Sequence, residues 1–334
     1  MRRISIFVHW DQDKLIDPYI IAYIKELRTI SQEVIFVSNC ALGEAEQQKV
    51  KSLVSTLIIR ENSGLDFAGW KQAILQRGLK EIAETCDELV LANSSCYAPL
   101  FPFQEMFDVM KERSCDFWGI TENKATRHVN QDLTVVPIAP HVQSYFLVYR
   151  KTVLESDVFE KFWKDYNENN SRDQLILYAE VGLTSLLVEK GFHYSVYLSI
   201  DEVDLEPIRK IVPDASDTSI FAWRQLVQKR CPTLKLKVFA TVTEKIYTGQ
   251  LACILSYQTF MKQAKCDDHI HSLIGQHISR CCPDYSRIHS QYERHSRFIF
   301  MCWLFLKMPR KTLSTMKNKC INRIKQRIAN GMKT

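Results

Sequence analysis

The stretch that decides the fold is STLIIRENSGLDFAGWKQAILQRGL, residues 55–79. Residues 55–59 form a short apolar run of strand type. Polar residues and Gly64 then break the pattern, and over residues 67–79 apolar side chains return at helical spacing. Strand, polar turn and helix make up the repeating unit of an α/β sheet. Asp66 opens the helix, where a carboxylate serves equally well as a cap or as a hydrogen-bonding group left at the turn for a ligand.

The alternation continues on both sides of this unit. Upstream, residues 3–8 and 33–38 read as strands with a helix at 19–28 between them. Downstream, strands at 88–92 and 115–120 bracket a helix at 103–112. A strand at 143–150 follows, then helices at 153–166 and 174–190, the second closed by Gly191. A strand at 194–198 and a helix at 219–229 end the readable pattern. The expected fold is therefore α/β, a Rossmann-like, mostly parallel sheet flanked by helices. Ligands of such sheets lie beyond the carboxyl ends of the strands. The chain has no GxGxxG after its first strand and no GxxxxGK[ST] loop, which disfavours the two common phosphate-binding variants.

Composition is that of a globular protein, 46% hydrophobic and 25% charged over 334 residues. The net charge of +6 is unevenly placed, since no acidic residue follows Glu293. Residues 1–240 are expected to form the sheet domain and 241–334 a helical, basic appendage. In the appendage Leu313, Met316, Cys320, Ile324 and Ile328 recur at helical spacing, accompanied by Lys317, Lys319, Arg323, Lys325 and Arg327. That pattern suits a helix lying on an anionic membrane surface; a helix packed on its own domain with a solvated basic face reads alike. The longest apolar run, residues 298–306, is about half the roughly 20 residues needed to span a bilayer. The opening MRRISIFVHWDQDK has too short an apolar run for a secretory signal. The expected location is cytoplasmic, at the inner face of the membrane, with the eleven cysteines as reduced thiols. Cys266, His269, His271, His277, Cys281 and Cys282 invite a zinc reading, but their spacing fits no familiar two-pair finger. The basic residues lack a recognised nucleic-acid motif, so nucleic acid is not an expected partner.

Three more segments carry chemistry. In LVLANSSCYAP (89–99) an apolar strand runs into Asn93, Ser94 and Ser95. A divalent cation prefers anionic oxygen ligands, and this turn offers neutral ones only. In HVQSYFLVYRK (141–151) a strand is entered through His141, Gln143 and Ser144. In EVGLTSLLVEKGF (180–192), Glu180 has Leu177, Val181, Leu183 and Thr184 as helical neighbours. A carboxylate on an apolar surface suits a general base near neutrality, although a lone helical glutamate is more often solvated or salt-bridged.

Taken in order, ENSGLDFAGW (61–70), LVLANSSCYAP, DFWGIT (116–121), HVQSYFLVYRK and EVGLTSLLVEKGF resemble the rhamnan synthesis protein F family. The likeness covers about residues 1–240, with 223–227 and 231–235 similar to the family's closing segment. Those proteins resemble GT-A glycosyltransferases and assemble rhamnose-containing surface polysaccharides. The resemblance implies a GT-A-like fold and inverting transfer of rhamnose from dTDP-rhamnose to a lipid-linked glycan. By position it implies that Asn62, Gly64 and Asp66 contact the nucleotide and that Asn93 and Ser95 face the diphosphate. His141, Gln143 and Ser144 would line the sugar or acceptor side, and Glu180 would be the base. The family pattern at 93–95 resembles Asn-Asp-Ser, and here Ser94 replaces the acidic member. Mg²⁺ or Mn²⁺ then lacks a charged anchor, with Arg60, Arg150 or Lys151 as the expected substitutes for its charge. The alternative is a catalytically weak relative that binds glycan or pathway enzymes.

Overall fold

The computed structural model describes residues 1–129, 135–168, 174, 176–209, 217–239, 260–261 and 263–281. The chain divides into two compact units, Met1–Cys282 and Pro283–Thr334. All described residues lie in the first.

Strands β1 (Arg3–His9) and β2 (Glu33–Ser38) are apolar almost throughout and buried on both faces, as strands covered by helices must be. In the first half of the chain they are joined by α1 (Pro18–Ile30), α2 (Glu44–Lys51), β3 (Thr56–Ile59), α3 (Leu65–Arg77) and α4 (Leu79–Thr85). Next come β4 (Glu88–Asn93), β5 (Cys96–Tyr97), α5 (Phe103–Lys111), β6 (Phe117–Gly119) and β7 (Glu122–Asn123). A hairpin of β8 (Thr126–Val129) and β9 (Val135–Ile138) leads to β10 (His141–Val142) and β11 (Phe146–Arg150). The remainder is α6 (Lys151–Leu154), α7 (Asp157–Asp165), a π-helix (Ile176–Val181), α8 (Gly182–Glu189) and β12 (Tyr194–Val196). Short α9 (Glu206–Arg209), α10 (Thr218–Phe221) and α11 (Trp223–Gln228) precede β13 (Leu234–Lys235) and α12 (Asp268–Cys281).

Seven strands form one sheet in the order β12-β6-β11-β4-β1-β2-β3. Only β11 runs against the others, pairing antiparallel with both β4 and β6. The expected mostly parallel sheet flanked by helices is therefore the architecture found. Side-chain alternation sends successive residues of each strand to opposite layers. On one face Ile4, Ile6 and Val8 share a core with Trp70 and Ile74 of α3 and Phe159 and Trp163 of α7. On the other, Phe7 meets Tyr23 of α1 at 4.9 Å, and Tyr23 meets Phe103 of α5 at 5.5 Å.

Several elements depart from the sequence reading for local reasons. The helix expected at 67–79 ends at Arg77, because Gly78 takes φ +89 and starts α4. The helix expected at 153–166 is two helices: the Ser156 hydroxyl accepts the Phe159 amide at 3.3 Å and caps α7. The strand expected at 143–150 begins only at Phe146, since residues 143–145 turn away from the sheet. The long helix expected at 174–190 contains the π-helix, a widened turn that helices often carry at functional sites.

Candidate active site

The chain lays β1, β2 and β3 outward, then returns to place β4 on the other side of β1. A reversal of this kind opens a crevice at the carboxyl ends of the two flanking strands, where α/β sheets bind ligands. The residues that end β1 and β4 are His9 and Asn93.

Asn93 is 4% exposed and bonded at both ends of its amide. Its Nδ2 donates to Asp66 Oδ2 at 2.9 Å, and its Oδ1 accepts the Ser95 hydroxyl at 2.6 Å and the Ser95 amide at 3.1 Å. Asp66 is no cap: Gly64 holds the N-cap position of α3, and the Asp66 carboxylate turns to Asn93 instead. Gly64 is required by shape. Its φ is +71, and a Cβ there would lie 2.7 Å from Ala68 Cβ and 2.9 Å from Glu168 Cβ. Ser94 faces away from this group, its Oγ accepting the Trp10 amide at 3.2 Å and donating to the Trp10 carbonyl at 3.4 Å. Asn62 is exposed in the loop before Gly64 and makes no hydrogen bond among the described residues.

Opposite lies the turn at 143–145. The Ser144 amide donates to Glu180 Oε1 at 3.0 Å, tying the π-helix to the turn. Gln143 is buried and fully engaged: its Oε1 accepts the Thr121 hydroxyl at 2.5 Å, and its Nε2 donates to Asp217 Oδ1 at 3.1 Å. His141 is buried but pinned outside this group, with Nδ1 2.8 Å from the Ala139 carbonyl and Nε2 3.4 Å from Asn123 Nδ2.

Two residues that the sequence reading missed complete the crevice. Asp217 caps α10 through the Ser219 amide at 3.1 Å and receives Gln143. Its Asp-Thr-Ser sequence before a helical run is a capping signature that marks the element but not its place in the site. Lys235 arrives by strand pairing: β13 runs antiparallel to β5 with Lys235 opposite Cys96. No local pattern announces a two-residue strand. The Lys235 ammonium stands 4.6 Å from the centre of the Tyr145 ring. Burial opposes its charge, while Cys96 and the carboxylates of Asp217, Glu180 and Asp66 favour it; the balance holds its pKa above the ordinary lysine value. The hydrogen bonds gather these residues in two groups, Asp66 with Asn93 and Ser95, and Glu180 with the turn that carries Ser144 and with Gln143 and Asp217 beside it. Lys235 links them, its backbone paired with Cys96 next to the first group and its ammonium over Tyr145 of the second. Burial pushes the Cys96 thiol up to about 12, so at neutral pH Cys96 is uncharged and only the carboxylates favour the ammonium.

The expected charge substitutes lie elsewhere or are committed. Arg150 sits at the opposite end of the sheet, where its guanidinium donates to the Arg113 and Cys115 carbonyls and pairs with buried Glu88. Lys151 pairs with Glu155 at 3.6 Å. Arg60 is on the correct edge, but Gln72, Asn39, Ser63 and Glu168 take up its donors.

Asn93 and Ser95 also fit a divalent cation poorly. Each neutral oxygen already has a partner, and the nearest carboxylate, Asp66, accepts from Asn93. Among the described residues, the ligand atoms that do gather within 4.8 Å of one another belong to Asp11, His277 and Cys281. There Arg280 of α12 already supplies the positive charge, bonding Asp11 and Asp13 at 2.6 Å each, and Asp17. His277 is 2.7 Å from the Tyr97 hydroxyl. Of the residues considered for zinc, Cys282 lies outside the described residues.

An α/β protein with a mostly parallel sheet and polar side chains gathered at its switch point is thus the class that fold and site define. Within that class, the chain belongs to the rhamnan synthesis protein F family, whose model matches residues 34–329. It is also 24% identical over 170 residues to "Uncharacterized protein y4gN" of Sinorhizobium fredii (strain NBRC 101917 / NGR234). That match covers 51% of this chain and 42% of the other, so the chain spans less than half the length of the curated relative it matches. Among solved structures, it is similar to 4-diphosphocytidyl-2C-methyl-D-erythritol synthase from Anaerococcus prevotii DSM 20548. The TM-score is 0.35 at 11% identity, over 59% of this chain and 89% of that one. A second 4-diphosphocytidyl-2C-methyl-D-erythritol synthase gives a TM-score of 0.38 at 6% identity, over 64% and 97%. Neither score bears on the fold, which rests on the sheet itself.

Proposed function

We propose that the chain is a GT-A-type glycosyltransferase. In this reading residues 1–240 carry the transfer of a sugar from a nucleotide-sugar donor, dTDP-rhamnose, to a growing lipid-linked surface polysaccharide. The observation that supports it is the bonding of Asp66 to Asn93 at the carboxyl end of β4 and of Glu180 to the turn at 143–145, with Lys235 between the two. Asp66 and Asn93 take the nucleotide side, with Gly64 shaping the loop. Glu180 takes the acceptor side, one oxygen fixed by the Ser144 amide and the other without a hydrogen bond among the described residues. Inverting transfer needs an acceptor hydroxyl held in line behind the anomeric carbon and a base that takes its proton. Glu180 is that base.

A thermal-shift screen of nucleotide sugars tests the reading. A donor at a hundredfold excess over its Kd stabilises the folded protein by about 2.7 kcal/mol, a rise of several degrees in Tm. If dTDP-, UDP- and GDP-sugars all leave Tm unchanged, the reading fails. The second reading, a catalytically weak relative, draws on Ser94, whose hydroxyl is committed to the Trp10 backbone. Donor binding without turnover on any rhamnan acceptor would favour it.

Because Asn93 and Ser95 are a poor cation site, turnover is expected to be unchanged by EDTA. Loss of turnover in EDTA with rescue by Mn²⁺ would contradict a metal-free site.

Among the described residues no helix is long and apolar enough to cross a membrane. The basic, apolar segment at 298–334 lies outside them. We assign it contact with an anionic membrane from its sequence pattern. Removing residues 298–334 is expected to shift the protein from the membrane pellet to the supernatant; unchanged partitioning would argue against the assignment.

A further inference from the structure

The geometry points to Lys235 as the cation that receives the donor's diphosphate, in place of a divalent metal; this inference rests on the glycosyltransferase reading above. Three observations carry it. First, Lys235 stands between the two polar groups of the site, its backbone paired with Cys96 just beyond Asn93 and Ser95 and its ammonium over the ring of Tyr145 in the turn that carries Ser144. Second, the amides around it and at least one oxygen of each nearby carboxylate are committed to other partners, and no carboxylate among the described residues pairs with its ammonium. Asp66 accepts from Asn93, Asp217 accepts from Gln143 and Ser219, and Glu180 accepts from Ser144. Third, the ammonium itself makes no hydrogen bond or ion pair among the described residues, and it lies over the face of Tyr145. A half-buried ammonium carries three donors, and such groups are normally satisfied. A diphosphate oxygen is an acceptor of matching charge.

The backbone around Lys235 is built for rigidity. The pairing of Leu234 with Tyr97 and of Lys235 with Cys96 is continued by the Leu236 amide, which donates to the Ser95 carbonyl at 3.0 Å. The lysine is thereby fastened to the strand segment that follows Asn93, so the diphosphate side of the crevice and its counter-charge move as one body.

In the transfer step, the acceptor oxygen forms a bond to the anomeric carbon while its proton passes to Glu180. The bond from that carbon to the diphosphate oxygen breaks, and the electron pair leaves with the nucleoside diphosphate. The negative charge that develops on the leaving oxygen falls beside Lys235. Preorganised groups aimed at developing charge are typically worth about 10²- to 10³-fold in kcat.

The test uses the full chain and calorimetric titration in EDTA with dTDP, UDP and GDP and with the corresponding nucleosides. For the wild type, the nucleoside diphosphate that binds best is expected to bind about tenfold or more tightly than its own nucleoside, the value of one charge-assisted hydrogen bond. Lys235→Met is expected to erase that difference while leaving nucleoside affinity unchanged, and Lys235→Arg to restore most of it. A Lys235→Met protein that keeps the full diphosphate preference overturns the role of Lys235. So does a wild type whose preference appears only on adding Mn²⁺. Wild-type protein that binds no nucleoside diphosphate and no nucleoside overturns the transferase reading itself, a separate outcome. Should Lys235→Met fail to fold, amine acetylation of the wild type followed by mass spectrometry reads the same contact. Protection of Lys235 by the bound nucleoside diphosphate but not by its nucleoside supports the role, and equal labelling in both overturns it.

Discussion

Glu180→Gln is expected to lower kcat by about 10²- to 10⁴-fold, the range general-base catalysis contributes, with donor affinity nearly unchanged. The substitution is chosen for what it preserves. A glutamine Oε1 still accepts the Ser144 amide, which Glu180 now accepts at 3.0 Å, so the tie between the π-helix and the turn at 143–145 survives. The side-chain volume is also retained. What disappears is a group able to take the acceptor's proton. The split between kcat and donor binding is therefore diagnostic, and a pre-steady-state burst assay with nucleotide-sugar titration measures both. Turnover within a few-fold of wild type would remove Glu180 from the mechanism. A loss confined to donor affinity would move it to the nucleotide side.

Gly119→Ala is expected to damage the fold more than any single methyl group elsewhere in the crevice. Gly119 ends β6, between β11 and β12. A Cβ built there would lie 2.3 Å from Val142 Cγ1 and 2.8 Å from the Phe146 carbonyl oxygen. The first contact could be relieved by moving a side chain. The second is backbone of the neighbouring strand and cannot yield without shifting β11. Overpacking of this kind costs about 1–3 kcal/mol and occasionally more, a fall in Tm of about 2–6 °C for a domain of this size. The same methyl pushes on Val142 and Phe146, which flank the turn carrying Gln143 and Ser144, so activity should fall further than stability accounts for. A thermal melt of the variant decides: an unchanged Tm would mean that β6 and β11 are less closely apposed than 2.8 Å implies. Gly119→Ala combined with Val142→Ala should recover only part of the loss, because the carbonyl contact remains.

These two residues also separate what was legible in the sequence from what was not. Glu180 is singled out by its apolar neighbours and by the family likeness, and Gly119 falls in a motif whose reason is steric and appears only when three strands are side by side. Asp66 and Asn93 were readable as polar residues at strand-to-helix turns. That one donates to the other, and that Ser94 turns to Trp10 instead, depends on how β1 and β4 align in register. Arg150 shows the opposite failure. Its charge suited a diphosphate, but β11 runs antiparallel, so the residue after its last apolar position lies at the end of the sheet away from the crevice and serves Glu88.

By itself the sequence determined the α/β class, because period-two and helical spacings are local properties fixed by which face of each element must be buried. It also marked the turns where ligands of such sheets lie. The tertiary structure decided which polar groups share a crevice and which are consumed by one another. Asp217 and Lys235 come to that crevice from more than a hundred residues beyond Asn93, Lys235 by a two-residue strand and Asp217 by a helix cap. Pairings between segments so far apart are set by packing of the whole chain, and no short window of sequence contains them.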